Sequence, residues 1–166
     1  MTKQLGWIAT GAGLLWAIAV IIIGTMLDIP PFSRVLIAPY FFLAPGLVLI
    51  AMVVAHTIRG LSTHDPETLS SGSAIDAAVV RDTVNHAVLA LSLWPALSFV
   101  WLNDGLGLVM SLSVAFAIAR ILFWIGAHKS AVLRLFGLMA TLLPTLLALL
   151  WGLLVRLPEF ISGLSA

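Results

Sequence analysis

The sequence of 166 residues contains no cysteine and few charged residues. The lack of cysteine excludes disulfide bonds, thiolate metal sites and a cysteine nucleophile. Charged residues make up 9% of the chain, whereas an average soluble domain has about 25%. The 8 basic and 7 acidic side chains give a formal net charge of +1, which is too small a positive field to hold a nucleic-acid backbone. Nucleic acid is therefore excluded as a partner.

Apolar residues are abundant, at 61% of the chain, and they form five long stretches. A helix that spans a membrane needs about 20 mostly apolar residues, and residues 7–27, 35–58, 77–102, 105–127 and 133–156 meet that requirement. These stretches are apolar on all sides, whereas the strands of a membrane barrel alternate apolar and polar residues. We predict an all-α integral membrane protein in which residues 1–166 form one domain and residues 59–76 form a polar cytoplasmic loop.

The basic residues predict how the five helices are oriented. One side of the membrane receives Lys3, Arg59, Arg81, Lys129 and Arg134, and the other receives Arg34 and Arg156. Loops on the cytoplasmic side carry the excess of lysine and arginine. We therefore predict a multi-pass protein of the bacterial inner membrane with its N-terminus in the cytoplasm.

Arg120 lies deep inside the fourth apolar stretch and requires a partner. A charged side chain at mid-membrane costs about 2.5–3.5 kcal/mol on insertion scales and generally pairs inside the helix bundle. The third stretch offers Asp82, with Asn85 and His86 at i+3 and i+4 on the same helix face. We predict an Arg120–Asp82 pair. Simpler interpretations stay open. Arg120 is then a structural brace between helices or a side chain that snorkels to the interface, and Asp82 belongs to an interfacial helix start in which it meets the helix dipole.

Several basic residues are predicted to gather on one membrane side around this pair. The side chains on that side are those of Arg59, Arg81, Lys129 and Arg134. A pocket between them suits an anionic polar ligand, and a second, lipophilic substrate can reach it through the bilayer. The alternative is that these cations sit at helix ends for topology or snorkelling. The histidines show no metal-ligand spacing with carboxylates, so we predict no metal site.

Two segments resemble the MAPEG family, the membrane-associated proteins of eicosanoid and glutathione metabolism. The first runs from Ala119 through Arg120, an aromatic pair and Gly126 to Ser130, and continues with Arg134-Leu135-Phe136-Gly137. The second, Asp82-Thr83-Val84-Asn85-His86, resembles the Asn-Thr-x-Glu-Gln run on the family's preceding helix. The resemblance covers residues 36–156, which implies a MAPEG-like four-helix bundle plus one additional N-terminal transmembrane helix.

The resemblance implies a homotrimer that binds glutathione near the cytoplasmic side and acts as a membrane glutathione transferase or peroxidase. Arg134 matches the arginine that stabilises the glutathione thiolate, which attacks a lipophilic small molecule or reduces a peroxide. Arg81, Asp82, Asn85 and Arg120 are the matching residues for holding glutathione, with membrane lipids surrounding the site.

Three departures from the family pattern leave other functions open. The family's Asn-x-x-Glu is Asp82-x-x-Asn85 here, and its tyrosine after the glycine is Ala127. A second register matches Arg81-x-x-x-Asn85 and places Val88 where the family has glutamate. The alternatives are a non-catalytic, lipid-binding or partner-binding protein of the same family, and a small transporter or channel subunit lined by Arg120 and Asp82.

Overall fold

The protein is a bundle of long helices that cross a membrane several times. The computed structural model describes residues 3–27, 29, 41–62, 71–101, 104–156 and 158. Within these residues the helices are α1 (Lys3–Met26), α2 (Leu43–Ser62), α3 (Ser71–Val100), α4 (Gly105–Lys129) and α5 (Ala131–Trp151), which continues as a π-helical segment, Gly152–Arg156. All five are long and apolar enough to span a bilayer. This confirms the expected all-helical, multi-pass membrane protein.

The helix bounds differ most from expectation at the start of α3. This helix was expected at residues 77–102 but begins at Ser71, because buried Ser73 and Asp76 continue the stripe of inward-facing residues that includes Val79 and Thr83. The expected polar loop is correspondingly shorter, since α2 runs to Ser62. Residues 63–70 lie outside the described part of the chain.

The other helices lie near their expected positions. α1 starts four residues before the predicted 7–27, and α4 ends two residues after the predicted 105–127. α5 starts two residues before the predicted 133–156, so one extended residue, Ser130, connects it to α4. α2 starts at Leu43, whereas the prediction began at residue 35; residues 35–40 lie outside the described residues.

The additional N-terminal helix packs onto the bundle through small residues. The Cα of Gly13 faces Met139 on α5, and Gly24 lies against the backbone of Leu108 on α4. A Cβ at Gly107 would overlap the carbonyl oxygen of Gly24, so these glycines allow the helix backbones to approach closely. α1 therefore runs antiparallel to α4, with its N-terminus beside the C-terminus of α4.

The two ends of the bundle differ in composition. One end is an apolar core in which the Trp94 ring stacks on Phe42 and meets Phe116 edge-on, at centroid distances of 5.9 and 6.0 Å. The opposite end brings together the C-termini of α2 and α4 with the N-termini of α3 and α5. Consequently Lys3, Arg59, Arg81, Lys129 and Arg134 lie toward one end, as the charge pattern predicts. Arg34 lies outside the described residues.

Candidate functional site

The tight turn between α4 and α5 fixes the position of Arg134. A Cβ at Gly126 would overlap the backbone of Leu133 and Arg134, so only glycine permits this close approach. Ser130 is extended, and its hydroxyl accepts a hydrogen bond from Leu133 N at 3.5 Å, as an N-cap residue does. The guanidinium of Arg134 thereby lies 5.8 Å from the centre of the Phe123 ring on α4.

Arg120 and Asp82 form an ion pair between α4 and α3. Arg120 Nη1 donates to Asp82 Oδ2 at 2.6 Å, and Arg120 Nε donates to Thr141 Oγ1 at 3.1 Å. The guanidinium also lies over the rings of Phe116 and Phe123, with Cζ 5.7 and 4.8 Å from their centres. This arrangement confirms the predicted partner of the intramembrane arginine.

The two members of this pair are unequally buried. The Arg120 side chain is 0% exposed, whereas that of Asp82 is 34% exposed. The arginine therefore needs the carboxylate to offset its charge inside the protein, while the carboxylate still presents one face outward. Asp82 is the boundary between the buried charge and an open cleft.

A cleft with a volume of about 760 Å³ opens beside Asp82, which is within the range of about 300–1,000 Å³ typical of ligand sites. α3 forms one wall, and α4 with the first turns of α5 forms the other. The lining residues are Ile75, Ala78, Val79, Arg81, Asp82, Asn85, Phe123, Ala127, Ala131, Arg134, Leu135 and Leu138.

Four of the five predicted site residues meet in this cleft. Arg81, Asp82 and Asn85 come from α3, and Arg134 faces them from α5. Arg120, the fifth, does not line the cleft and contacts its wall through Asp82 and Phe123.

Other residues of the predicted polar group lie elsewhere. His86 lies beside Asp82, as its spacing predicts, with Nδ1 3.5 Å from Asp82 Oδ2 and donating to the Asp82 carbonyl oxygen at 2.7 Å, but it does not line the cleft. Arg59 and Lys129 do not line the cleft.

The cleft carries an excess of positive charge. Asp82 is neutralised by Arg120 at 2.6 Å, so the guanidinium groups of Arg81 and Arg134 are uncompensated within the cleft lining. In a partly enclosed apolar site the effective dielectric constant is lower than in water, so such charges attract an anion more strongly. The described residues contain no group of three or more metal-ligating side chains. The arrangement suits an anionic ligand with an apolar part.

A second polar cluster, which the sequence analysis missed, lies at the same end of the bundle. Asp76 is 1% exposed, and its carboxylate accepts hydrogen bonds from Trp124 Nε1 at 2.8 Å, from His128 Nε2 at 2.7 Å and from Arg59 Nη1 at 2.6 Å. This Asp76 cluster joins α2, α3 and α4. Its neighbours Ile75 and Val79 line the cleft, so the cluster holds one wall of the site.

The sequence contains a signal for Asp76 that its surroundings obscured. Asp76 lies in a segment that follows a serine-rich run, and serine favours turns and helix starts. The spacing of Ser73, Asp76, Val79 and Thr83 is nevertheless that of one helix face. An acidic residue on the inward face of a membrane helix indicates a buried partner.

Comparison of the chain with protein-family models, with curated proteins and with solved structures finds no match. The resemblance to the MAPEG family therefore stays a prediction from the residues of the cleft and the α4–α5 turn.

Proposed function

We propose that the cleft between α3, α4 and α5 binds glutathione, and that the protein is a MAPEG-like membrane glutathione transferase or peroxidase. The observation that carries this proposal is the meeting of Arg81, Asp82, Asn85 and Arg134 in one cleft. Glutathione is an anion with two carboxylates, an ammonium group and a thiol. The Arg81 and Arg134 guanidinium groups can bind its carboxylates and its thiolate. The side-chain oxygens of Asp82 and Asn85 can accept hydrogen bonds from its ammonium and amide N–H groups.

Arg134 is the residue we assign to the thiol. A guanidinium within about 4–6 Å of a thiol stabilises the thiolate, which is the nucleophilic form. Arg134 approaches the cleft across the face of Phe123, an apolar surface that limits competition from water. A lipophilic substrate enters the same cleft from the bilayer, since eight of the twelve lining side chains contain only hydrocarbon.

The proposed assembly is a homotrimer in the bacterial inner membrane. The N-terminus of each subunit lies in the cytoplasm, and glutathione is available on that side. Support comes from the exposure of Arg81, Asn85 and Arg134 in the single chain. Polar side chains in the membrane region generally face a bundle interior or an aqueous cavity. In the proposed trimer a neighbouring subunit packs over these exposed side chains.

The test is the thiolate absorbance of glutathione added to the purified protein, measured as an ultraviolet difference spectrum. We expect a thiolate signal at neutral pH that Arg134→Ala abolishes and Arg134→Lys partly retains. Lys129→Ala is the matched control, because Lys129 is an exposed cation in the same turn but outside the cleft. Absence of a signal from the unmodified protein at saturating glutathione contradicts the proposal.

A second candidate is a non-catalytic, lipid-binding function. Two features favour it: among the described residues no hydroxyl or thiol side chain lines the cleft, and Ala127 occupies the position of the family's tyrosine. In this version the two arginines hold the headgroup of an anionic phospholipid and the apolar wall holds its chain. To distinguish the two candidates, the phosphatidylglycerol that remains bound to the purified protein is measured. The second candidate predicts that Arg81→Gln and Arg134→Gln lower this amount and that the unmodified protein gives no thiolate signal.

A further inference from the structure

A second, smaller cavity lies on the other side of the Arg120–Asp82 pair. Its volume is about 170 Å³, close to the cavity of about 150 Å³ that accepts one benzene ring in a protein core. The residues around this inner cavity come from α3, α4 and α5, and they are His86, Leu89, Ala90, Leu93, Phe116, Thr141, Leu142, Thr145, Leu146 and Leu149. None of them lines the cleft.

The inner cavity opens toward the lipid. Leu89 on α3 and Leu146 on α5 both line it, and both are exposed on the surface of the bundle. Exposed leucines on membrane-spanning helices face the hydrocarbon region. A molecule dissolved in the bilayer therefore reaches the inner cavity between these two helices without crossing the cleft.

Most of the cavity wall is apolar, but two threonine hydroxyls lie at one end, and that of Thr141 already donates to the Gly137 carbonyl oxygen at 2.8 Å. Thr141 and Thr145 are four residues apart on either side of Pro144, so their hydroxyls share one face of α5. The Thr145 hydroxyl accepts a hydrogen bond from Trp94 Nε1 at 3.2 Å, and among the described residues no acceptor takes its proton.

Arg120 lies directly behind the same part of the wall. Its Nε donates to Thr141 Oγ1, and its guanidinium packs on Phe116, two residues that line the inner cavity. Its third nitrogen, Nη2, is buried and has no hydrogen-bond partner among the described residues. The Arg120 side chain is 0% exposed and does not line the inner cavity, so the Thr145 hydroxyl is the donor that an acceptor oxygen in the cavity meets.

The charge balance decides whether that oxygen is neutral or anionic. The positive charge of Arg120 is already offset by Asp82 at 2.6 Å. An additional carboxylate in the inner cavity would be a buried charge without its own partner, which is strongly unfavourable. A neutral carbonyl oxygen accepts the hydrogen bond without that penalty.

We propose that the inner cavity binds a neutral, lipophilic ring compound that carries a carbonyl oxygen, as an aromatic ketone or a quinone does. The ring fills the apolar part, the carbonyl oxygen accepts from the Thr145 hydroxyl, and any tail leaves between Leu89 and Leu146. This site is independent of glutathione binding in the cleft.

The experiment compares three fluorinated probes with the same ring by ¹⁹F NMR, using the full chain in phosphatidylcholine nanodiscs. The probes are 4-fluoroacetophenone, 4-fluoroethylbenzene, which lacks the oxygen, and 4-fluorobenzoate, which is anionic. After correction for partition into empty nanodiscs, we expect the ketone to bind about two- to ten-fold more tightly than the hydrocarbon, the range of one net hydrogen bond. We expect no protein-bound signal from the benzoate.

Two pairs of variants locate the binding site. Leu146→Trp fills the cavity from α5, and Leu150→Trp is its control, because Leu150 is exposed one turn further along the helix but does not line the cavity. Leu89→Trp fills it from α3, with Val88→Trp as the control on the adjacent exposed position. We expect the bound ketone signal to disappear in Leu146→Trp and Leu89→Trp and to persist in both controls.

The remaining outcomes overturn the proposal. Equal binding of the ketone and the hydrocarbon contradicts the role of the Thr145 hydroxyl, and tighter binding of the benzoate contradicts the charge argument. A ketone signal that survives both filling substitutions places the site elsewhere. Because none of these measurements involves glutathione, a failure here leaves the thiolate test of the cleft unaffected, and the converse also holds.

Discussion

The two carboxylates of α3 have opposite environments, although they lie six residues apart. Asp76 is 1% exposed and accepts hydrogen bonds from Arg59, Trp124 and His128. Asp82 is 34% exposed and shares one strong contact with Arg120, whose Nη2 has no partner among the described residues.

The difference indicates which cluster is structural and which belongs to a site. A buried polar network with all its members satisfied fixes the positions of the elements that it joins, and the Asp76 cluster fits that description. The Arg120–Asp82 pair differs, because Asp82 lines the cleft and keeps part of its carboxylate exposed there. That exposed part of the carboxylate is available to a ligand.

The largest effect is expected from removing the buried arginine. Arg120→Leu leaves Asp82 without its partner and removes the hydrogen bond to Thr141. Breaking a fully buried ion pair costs about 3–5 kcal/mol, and because Asp82 is 34% exposed we expect a loss near the lower end of that range. Thermal unfolding in detergent, followed by circular dichroism, measures the loss. Asp82→Asn combined with Arg120→Leu is expected to recover part of it, because the orphaned charge is then absent.

Arg81→Leu is the matched control for this comparison. Arg81 is an exposed arginine on the neighbouring helix, and an exposed charge contributes about 0–1 kcal/mol to stability. Equal destabilisation by Arg81→Leu and Arg120→Leu would contradict the assignment of Arg120 as the buried, paired charge.

A somewhat smaller loss is expected at the other carboxylate. Asp76→Ala orphans the donor of Trp124, and an unsatisfied buried donor costs about 1–3 kcal/mol. Arg59, which is 46% exposed, and His128, which is 25% exposed, turn to water instead and add little. We expect a loss of about 1–3 kcal/mol in the same unfolding measurement.

Asp76→Asn distinguishes a structural cluster from a ligand site. The amide oxygen still accepts from a donor, so we expect Asn at this position to restore more than half of the stability that alanine loses. Affinity for glutathione should follow the stability of the variants. A variant that unfolds normally but loses all binding would contradict the structural role of Asp76.

The sequence was informative where a charge had few choices of partner. Arg120 is isolated in an apolar helix, and Asp82 is the nearest carboxylate on the preceding helix, so their pairing followed from the cost of an unpaired charge in a membrane. The turn before Arg134 was readable because its residues are adjacent in the chain.

Two features depended on packing that no local pattern encodes. Asp76 was assigned to a polar loop because the serines before it favour turns, and its partners come from helices 17 to 52 residues away. The inner cavity results from how side chains of three helices meet beside Pro144. Neither the volume of a void nor the orientation of the His86 ring follows from helical spacing alone.

The last of these effects is expected at Gly126, which lies between Trp124 and His128 in the chain. A Cβ there overlaps the backbone of Leu133 and Arg134, so Gly126→Ala forces α5 away from α4. Overpacking of this kind costs about 1–3 kcal/mol. Because α5 carries Arg134, the displacement is expected to weaken glutathione binding in the cleft more than it disturbs the Asp76 cluster.

Gly11→Ala is the control, since a Cβ at Gly11 has no neighbour within 4 Å and alanine in a helix interior is favoured over glycine by about 1 kcal/mol. Unfolding curves and the glutathione thiolate signal measured on both variants separate the two clusters. A Gly126→Ala protein with normal thiolate absorbance would show that the position of Arg134 does not depend on the close α4–α5 contact, and that the cleft tolerates movement of the wall opposite Asp82.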